Sequence, residues 1–168
     1  GYGTFSIKEY KNVAIIGGGI GTFPLYELAK ELKEQTSTNI HIYIGFRNKE
    51  LVTLEQEFKS VSNQLTITTD DGSYGIQGFA INELKKDCEK QQPDKIYACG
   101  PLPMLKAIQS YANENNIPCE ISLEQKMACG IGACLGCAVK TAKSQSDAPQ
   151  YWHVCKAGPV FNAQDVEI

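Results

Sequence analysis

Between residues 11 and 124, short apolar runs alternate with longer amphipathic stretches, and the two periods separate into strands and helices. Val13-Ala14-Ile15-Ile16 is an unbroken apolar run ending in glycine, the pattern of a parallel strand covered on both faces. Leu25, Leu28, Ala29 and Leu32 then recur at spacings of three and four, which places them on one face of a helix. A second β-rich run covers Ile40 to Phe46, a polar helix is expected around Leu51 to Phe58, and a third strand at Leu65 to Thr69. The cluster Asp70-Asp71-Gly72-Ser73 is a turn signal. Phe79, Ile81 and Leu84 mark the next helix, and Pro93-Asp94 leads into a fourth strand, Lys95 to Cys99. Leu102, Leu105, Ala107 and Ile108 mark another helix, and Pro118 introduces a fifth strand, Cys119 to Leu123. Strands and helices alternating through short connections predict an α/β fold: a doubly wound five-stranded parallel sheet occupying residues 1–124.

Beyond Leu123 the helical period stops and glycine and cysteine become dense. A stretch of roughly 45 residues is too small for a self-sufficient core, so residues 125–168 are expected to form a small C-terminal domain held by a metal, by disulfides or by its neighbour. Lys143 to Pro149 reads as a short polar loop.

Composition narrows the partners. Sixteen basic and nineteen acidic residues give a net charge of -3, with the signs interspersed. That excludes a nucleic-acid partner, which needs clustered Lys and Arg. No run approaches the roughly 20 apolar residues of a membrane span, and the amino terminus lacks the charged-then-apolar form of a signal peptide. The chain therefore reads as soluble and cytoplasmic. It opens on Gly1-Tyr2-Gly3 rather than on Met, which suggests a piece of a longer protein.

Seven cysteines are unevenly placed: Cys88, Cys99 and Cys119 are dispersed, whereas Cys129, Cys134, Cys137 and Cys155 fall in the last quarter. The dispersed Cys88 and Cys119 are expected to be small buried residues. The last four have the spacing C-x4-C-x2-C followed by a distant fourth Cys, the plant-type arrangement for a [2Fe-2S] cluster. Gly130, Gly132 and Gly136 lie between the ligands, where a loop wrapping a cluster must bring N–H groups close to sulfur. A zinc staple is the alternative, although common zinc ribbons pair two C-x2-C hairpins. A Rieske centre would need a matched His pair, and only His41 and His153 exist.

Gly17-Gly18-Gly19-Ile20-Gly21-Thr22 directly follows the first strand and opens the first helix. A dinucleotide pyrophosphate would lie there, on free N–H groups and the positive end of the helix dipole. The third glycine of the usual fingerprint is replaced by Thr22, and a plain strand-to-helix turn is the alternative. The second strand ends in Arg47 and Lys49 rather than in an acidic residue. Either could meet a phosphate, which leaves NAD and NADP both open, and a solvated loop is the alternative. Cys99-Gly100-Pro101 closes the fourth strand at the carboxyl edge, where doubly wound sheets bind ligands. Pro101 suits the first turn of a helix and Gly100 permits close approach by a flat ligand, with a strand-to-helix turn around a buried Cys as the alternative.

Taken together, Gly17 to Leu25, Asp71-Gly72-Ser73 with Gly75 and Gly78, and Cys99-Gly100-Pro101 with Met104 resemble the nicotinamide-binding domain of the ferredoxin-NADP reductase superfamily. Met127 to Cys137, with Val154-Cys155-Lys156-Ala157-Gly158-Pro159-Val160-Phe161, resembles the electron-transfer subunit of type B, NAD-dependent dihydroorotate dehydrogenases. The resemblance implies that NAD is reduced as dihydroorotate is oxidised to orotate in pyrimidine synthesis. It implies FMN in a catalytic dehydrogenase subunit, and FAD, the cluster and the NAD site in the electron-transfer subunit, assembled as a heterotetramer. By the same resemblance Cys99 lies near the nicotinamide and Gly17, Gly18, Gly19 and Gly21 approach the pyrophosphate; Thr22 at the same turn, Arg47 by its charge and Asp71 by its loop are expected in the nucleotide site as well. Related reductase subunits serve sulfide-, glutamate- or hydrogen-metabolising partners, and a zinc-stapled nucleotide-binding domain without redox activity is a third reading.

That family's subunit begins with a flavin-binding barrel of about a hundred residues, the size of a separate domain. Only Gly1 to Tyr10 precede the first strand here. Nicotinamide exchanges a hydride whereas a [2Fe-2S] cluster moves single electrons, so a flavin must stand between them. The expectation is that FAD sits on a domain missing from this sequence, through truncation or on another polypeptide, and that these residues alone are inactive.

Overall fold

Asn12–Gly18 forms β1, and its apolar run is sealed on both faces: Val13, Ala14, Ile15 and Ile16 are each 2% exposed or less. The computed structural model describes residues 4–35, 37–142 and 150–168; the opening Gly1-Tyr2-Gly3 and the polar loop expected at Lys143 to Pro149 lie outside them. Helix α1 (Thr22–Gln35) turns Leu25, Leu28, Ala29 and Leu32 onto the sheet, all of them buried. The alternation continues through β2 (Asn39–Phe46), α2 (Glu55–Val61), β3 (Gln64–Thr69), β4 (Ile76–Gln77), α3 (Ala80–Cys88), β5 (Lys95–Cys99), α4 (Leu102–Glu114) and β6 (Cys119–Ser122). These strands are all parallel, in the order β4-β3-β2-β1-β5-β6. The five expected strands are present and adjacent, with the two-residue β4 added at one edge. The order in which strands are added reverses between β1 and β5, so the crevice for a ligand opens beyond their carboxyl ends.

Three local expectations shift. The helix expected from Leu51 begins only at Glu55, because Lys49–Leu51 closes a separate 3-10 turn whose Asn48 side chain accepts from the Leu51 N–H at 3.3 Å. Phe79 is not in the core: it precedes α3 and is 63% exposed, whereas Ile81 and Leu84 are buried. Leu102 likewise starts α4 in solvent while Leu105 and Ile108 pack inward.

The tail forms β7 (Ala138–Thr141), β8 (Tyr151–His153), α5 (Val154–Ala157), β9 (Val160–Asn162) and β10 (Val166–Glu167). β10, β7 and β8 make a small antiparallel sheet. β9 instead pairs antiparallel with β6 and extends the main sheet to seven strands. Val139, Val154, Phe161, Ala163 and Val166 share one apolar cluster with Ile96, Leu105 and Ile108. The Gln109 amide of α4 donates to the Ala163 and Val166 carbonyls at 2.5 and 2.7 Å. Of the three supports expected for the tail, the neighbouring unit supplies most of the packing. Cys88 and Cys119 are buried as free thiols, as expected.

Two polar groups are sealed inside. Lys95 and Glu120 pair at 3.0 Å, both nearly buried, and the carboxylate also accepts from the Ser6 N–H and hydroxyl. The Tyr97 hydroxyl donates to the Ser6 carbonyl at 2.7 Å, so the segment before β1 is tied to the sheet. Beneath α3, the Tyr43 hydroxyl donates to Asp87 at 3.1 Å and lies 2.8 Å from His41 Nδ1. His41 Nδ1 must then carry the proton that reaches Tyr43, and Nε2 accepts from the Thr66 hydroxyl at 2.9 Å. Burial holds His41 down to about 4, against the opposing pull of the Asp87 carboxylate.

A depressed folded-state value means that neutral His41 stabilises the fold fully above its unfolded value near 6.5, and that this contribution is lost as pH falls towards 4. By pH 5 the loss attributable to His41 is about 2 kcal/mol. Urea unfolding at pH 7.5 and pH 5 should show it, and His41→Gln should remove that part of the pH dependence. An undiminished pH dependence in the variant would assign the effect to other groups.

Candidate functional site

The carboxyl ends of β1 and β5 are pressed together. Gly17 and Gly18 close β1, Gly19–Gly21 form a single 3-10 turn, and the Thr22 hydroxyl donates back to the Gly19 carbonyl at 2.8 Å. A Cβ on Gly21 would stand 2.6 Å from the Cys99 carbonyl oxygen and 2.7 Å from Gly100 Cα. One on Gly18 would stand 2.9 Å from Pro101 Cδ. The two loops are therefore in backbone contact, which only glycine allows. The structure brings Gly17, Gly18, Gly19, Gly21 and Thr22 together with Cys99, Gly100 and Pro101. The first turn of α1 carries no acidic side chain, so its positive end is uncompensated towards the crevice.

Cys99 is half-buried and stands opposite Ser122, its register partner on β6. Burial, with a smaller push from the Glu124 carboxylate, raises the Cys99 thiol above its ordinary value. A cavity of about 340 Å³ lies alongside, lined by Gly100, Pro101, Leu105, Leu123, Glu124 and Lys126. Ser122 and Glu124 are site neighbours that the sequence reading missed. The available signal was their place at the carboxyl end of the fifth strand, beside Cys99.

Arg47 and Asp71 form a second group at the ends of β2 and β3, where the Asp71 N–H donates to the Arg47 carbonyl at 3.3 Å. Ser73 links the same two loops, its hydroxyl accepting from the Lys49 N–H at 2.8 Å. The Asp71 carboxylate accepts from the Ser73 N–H and hydroxyl at 2.9 and 2.6 Å, and these bonds hold it below the usual carboxylate range. That oxygen braces the turn. The Arg47 side chain is exposed.

Cys129 and Cys134 lie on the loop entering β7, Cys137 immediately precedes that strand, and Cys155 sits on α5. All four thiols are free, with Cys137 and Cys155 buried. The Cys134 N–H points at Cys129 Sγ at 3.4 Å, and the Gly136 N–H at Cys134 Sγ at 3.5 Å. The Cys134 amide, then those of Ile131 and Ala133, draw the Cys129 thiol down to about 6. The Cys134 amide thus sets Cys134 against Cys129, and the Val154 N–H donating to the Cys137 carbonyl at 3.0 Å sets Cys155 next to Cys137. Among the described residues no three His, Cys, Asp or Glu side chains converge on a single ion. Four free thiols in two neighbouring couples, with amides directed at the sulfurs of Cys129 and Cys134, fit a two-iron cluster, which takes two thiolates per iron.

Comparison with known proteins agrees with both halves of this geometry. Residues 15–110 match the family model of the oxidoreductase NAD-binding domain, more than half of the chain. The chain belongs to that family. Residues 124–167 of this NAD-binding family member match the iron-sulfur cluster binding domain of dihydroorotate dehydrogenase B. The chain is 42% identical over 162 residues to the dihydroorotate dehydrogenase B (NAD(+)) electron transfer subunit of Caldanaerobacter subterraneus. Against the subunit of the same name from Fusobacterium nucleatum it is 43% identical over 170 residues. These matches take in 96% and 100% of the chain, which spans 62% of the length of either relative. Among solved structures, an NADH-dependent reduced ferredoxin-NADP oxidoreductase, described in the context of flavin-based electron bifurcation, superposes with a TM-score of 0.81 at 32% identity. That likeness covers 98% of this chain and 57% of the other. The C-terminal domain of a Pyrococcus furiosus hydrogenase shares the fold, with a TM-score of 0.58 at 14% identity over 73% of this chain and 97% of that one. The cofactor types are thus an iron-sulfur cluster and a nicotinamide dinucleotide. Among the described residues no helix is long and apolar enough to cross a membrane.

Gly21→Ala should force the β1 and β5 loops apart, costing about 1–3 kcal/mol of stability and weakening NADH binding in a fluorescence titration. Unchanged binding and unchanged stability would mean that the contact yields freely. Cys134→Ser should lose iron and expose residues 125–137 to protease. Because β9 and β10 are held by the sheet and by Gln109, cleavage should not spread to residues 159–167. Full iron content in the variant would remove Cys134 from the ligand set.

Proposed function

We propose that these residues are the NAD- and cluster-bearing part of the electron-transfer subunit of a type B dihydroorotate dehydrogenase, working in the cytoplasm with an FMN-containing catalytic subunit as a heterotetramer. Residues 1–124 are the NAD-binding unit and residues 125–168 the cluster-binding unit. The observation that carries the reading is adjacency. Leu123 to Lys126 leave β6 beside Cys99, Gly100 and Pro101, line the cavity there, and run directly into Cys129.

In this reading Gly17, Gly18, Gly19, Gly21 and Thr22 cradle the pyrophosphate with backbone N–H groups, as the start of α1 favours. Cys99, Gly100 and Pro101 form the floor beneath the nicotinamide. The raised thiol keeps Cys99 neutral and uncharged beside that ring. Arg47, with Asp71 bracing the neighbouring turn, faces the adenosine end. Cys129, Cys134, Cys137 and Cys155 hold the cluster, which when bound supplies single-electron transfer. The amides of Ile131, Ala133, Cys134 and Gly136 stabilise negative sulfur. An FAD, which would exchange a hydride for single electrons between the nicotinamide and the cluster, would be held by a further domain of the subunit.

A second reading keeps this architecture and changes the partner to another iron-sulfur flavoenzyme. The 32% identity to a ferredoxin-NADP oxidoreductase supports it, while the tail match and the higher identity to dihydroorotate dehydrogenase subunits favour the first. Co-purification of the intact protein with an FMN-containing dihydroorotate dehydrogenase subunit, yielding dihydroorotate-dependent NAD reduction, tests the choice. No complex and no such activity would favour the second.

The route itself is tested separately. Residues 1–168 prepared anaerobically and mixed with NADH should keep the visible absorbance of an oxidised cluster until a flavin domain is supplied. Rapid bleaching without flavin would contradict the route.

A further inference from the structure

Gly130 and Gly132 both occupy the left-handed region, at φ +68° and +79°, yet their surroundings differ. Nothing lies within 4 Å of where a Cβ on Gly130 would stand. The same position on Gly132 is filled by the stem of Lys156, with Cδ at 3.2 Å, Cβ at 3.6 Å and Cγ at 4.0 Å. Ile131 between them is 76% exposed, so this stretch of loop has no apolar anchor of its own. Gly132 lies between Cys129 and Cys134, and Lys156 directly follows Cys155 on α5. Among the described residues the Lys156 ammonium enters no ion pair.

We propose that Lys156 is a positioning residue for the cluster: its aliphatic stem clasps Gly132 and ties the Cys129–Cys134 loop to the Cys155 end of the ligand set, while its ammonium, on the residue next to Cys155 and in no ion pair, adds positive charge to the cluster's surroundings. The inference rests on the cluster reading above. The clasp joins the two ends of the ligand set, which are otherwise separated by β7 and β8. The physical basis is that long cationic side chains pack through their methylenes and keep the charge in water. Reduction adds one negative charge to the cluster, so a neighbouring cation favours the reduced form. Gly132 is glycine for two reasons: its backbone conformation, and the room that the Lys156 stem takes up.

Lys156→Met keeps the stem and removes the charge, whereas Lys156→Ala removes both. The intact protein and each variant are reconstituted anaerobically, and loss of visible absorbance is followed in the presence of a chelator. The midpoint potential is measured by dye-equilibrated titration. Lys156→Ala should lose its cluster roughly tenfold faster than the unsubstituted protein, and Lys156→Met within about twofold of it. Lys156→Met should also show a lower midpoint potential, restored in Lys156→Arg. Equal cluster lifetimes for Lys156→Ala and the unsubstituted protein, or an unchanged potential in Lys156→Met, would overturn the proposal while leaving the cluster reading standing. An unsubstituted protein that takes up no iron would overturn both.

Discussion

Backbone contact between the turn after β1 and the loop after β5 is the constraint on which the molecule depends. The distance from Gly21 to the Cys99 carbonyl leaves no space for even a methyl group. Parallel strands can bring two such loops together only when they are neighbours and their crossovers leave in opposite directions. β1 and β5 meet that condition, with Ile16 opposite Ala98 and Gly17 opposite Cys99. The start of α1, the half-buried thiol of Cys99 and the Pro101 entry to α4 are then placed along one edge without further adjustment.

The tail uses that edge rather than building its own. β9 completes the sheet beyond β6, and Phe161 inserts into the apolar cluster beneath α4. Trp152 stacks on Phe161 with ring centroids 5.9 Å apart and covers it from the β8 side. Roughly 45 residues could not bury enough apolar surface alone. Sharing a core solves this and fixes where the chain leaves β6. The cysteine loop is therefore suspended between two anchored points, Leu123 on one side and β7 on the other.

Within the suspended loop, order comes from polar contacts more than from packing. Met127, Ile131 and Leu135 are all exposed, and the directed interactions are amides aimed at sulfur. Such a loop has little to hold its shape except the thiols and the Lys156 stem. The main sheet shows the opposite balance, with apolar clusters on both faces and its few buried charges paired, as for Lys95 with Glu120.

The sequence alone determined the five parallel strands, because their apolar runs are short, local and bounded by Gly, Pro and Asp. It also determined the four cysteines and the glycine turn, since both are encoded in spacing over a few residues. Only the tertiary structure decided that β9 joins the main sheet, because a three-residue strand has no period of its own and its partner lies some forty residues upstream. The same holds for Ser122 and Glu124 beside Cys99 and for Lys156 over Gly132. These are contacts between side chains whose residue types are ordinary and whose meaning comes from the neighbour that folding supplies. Phe79 and Leu102 show the converse: helical spacing identified apolar residues correctly, but at the first turn of a helix that spacing cannot distinguish the face turned to the core from the end turned to solvent.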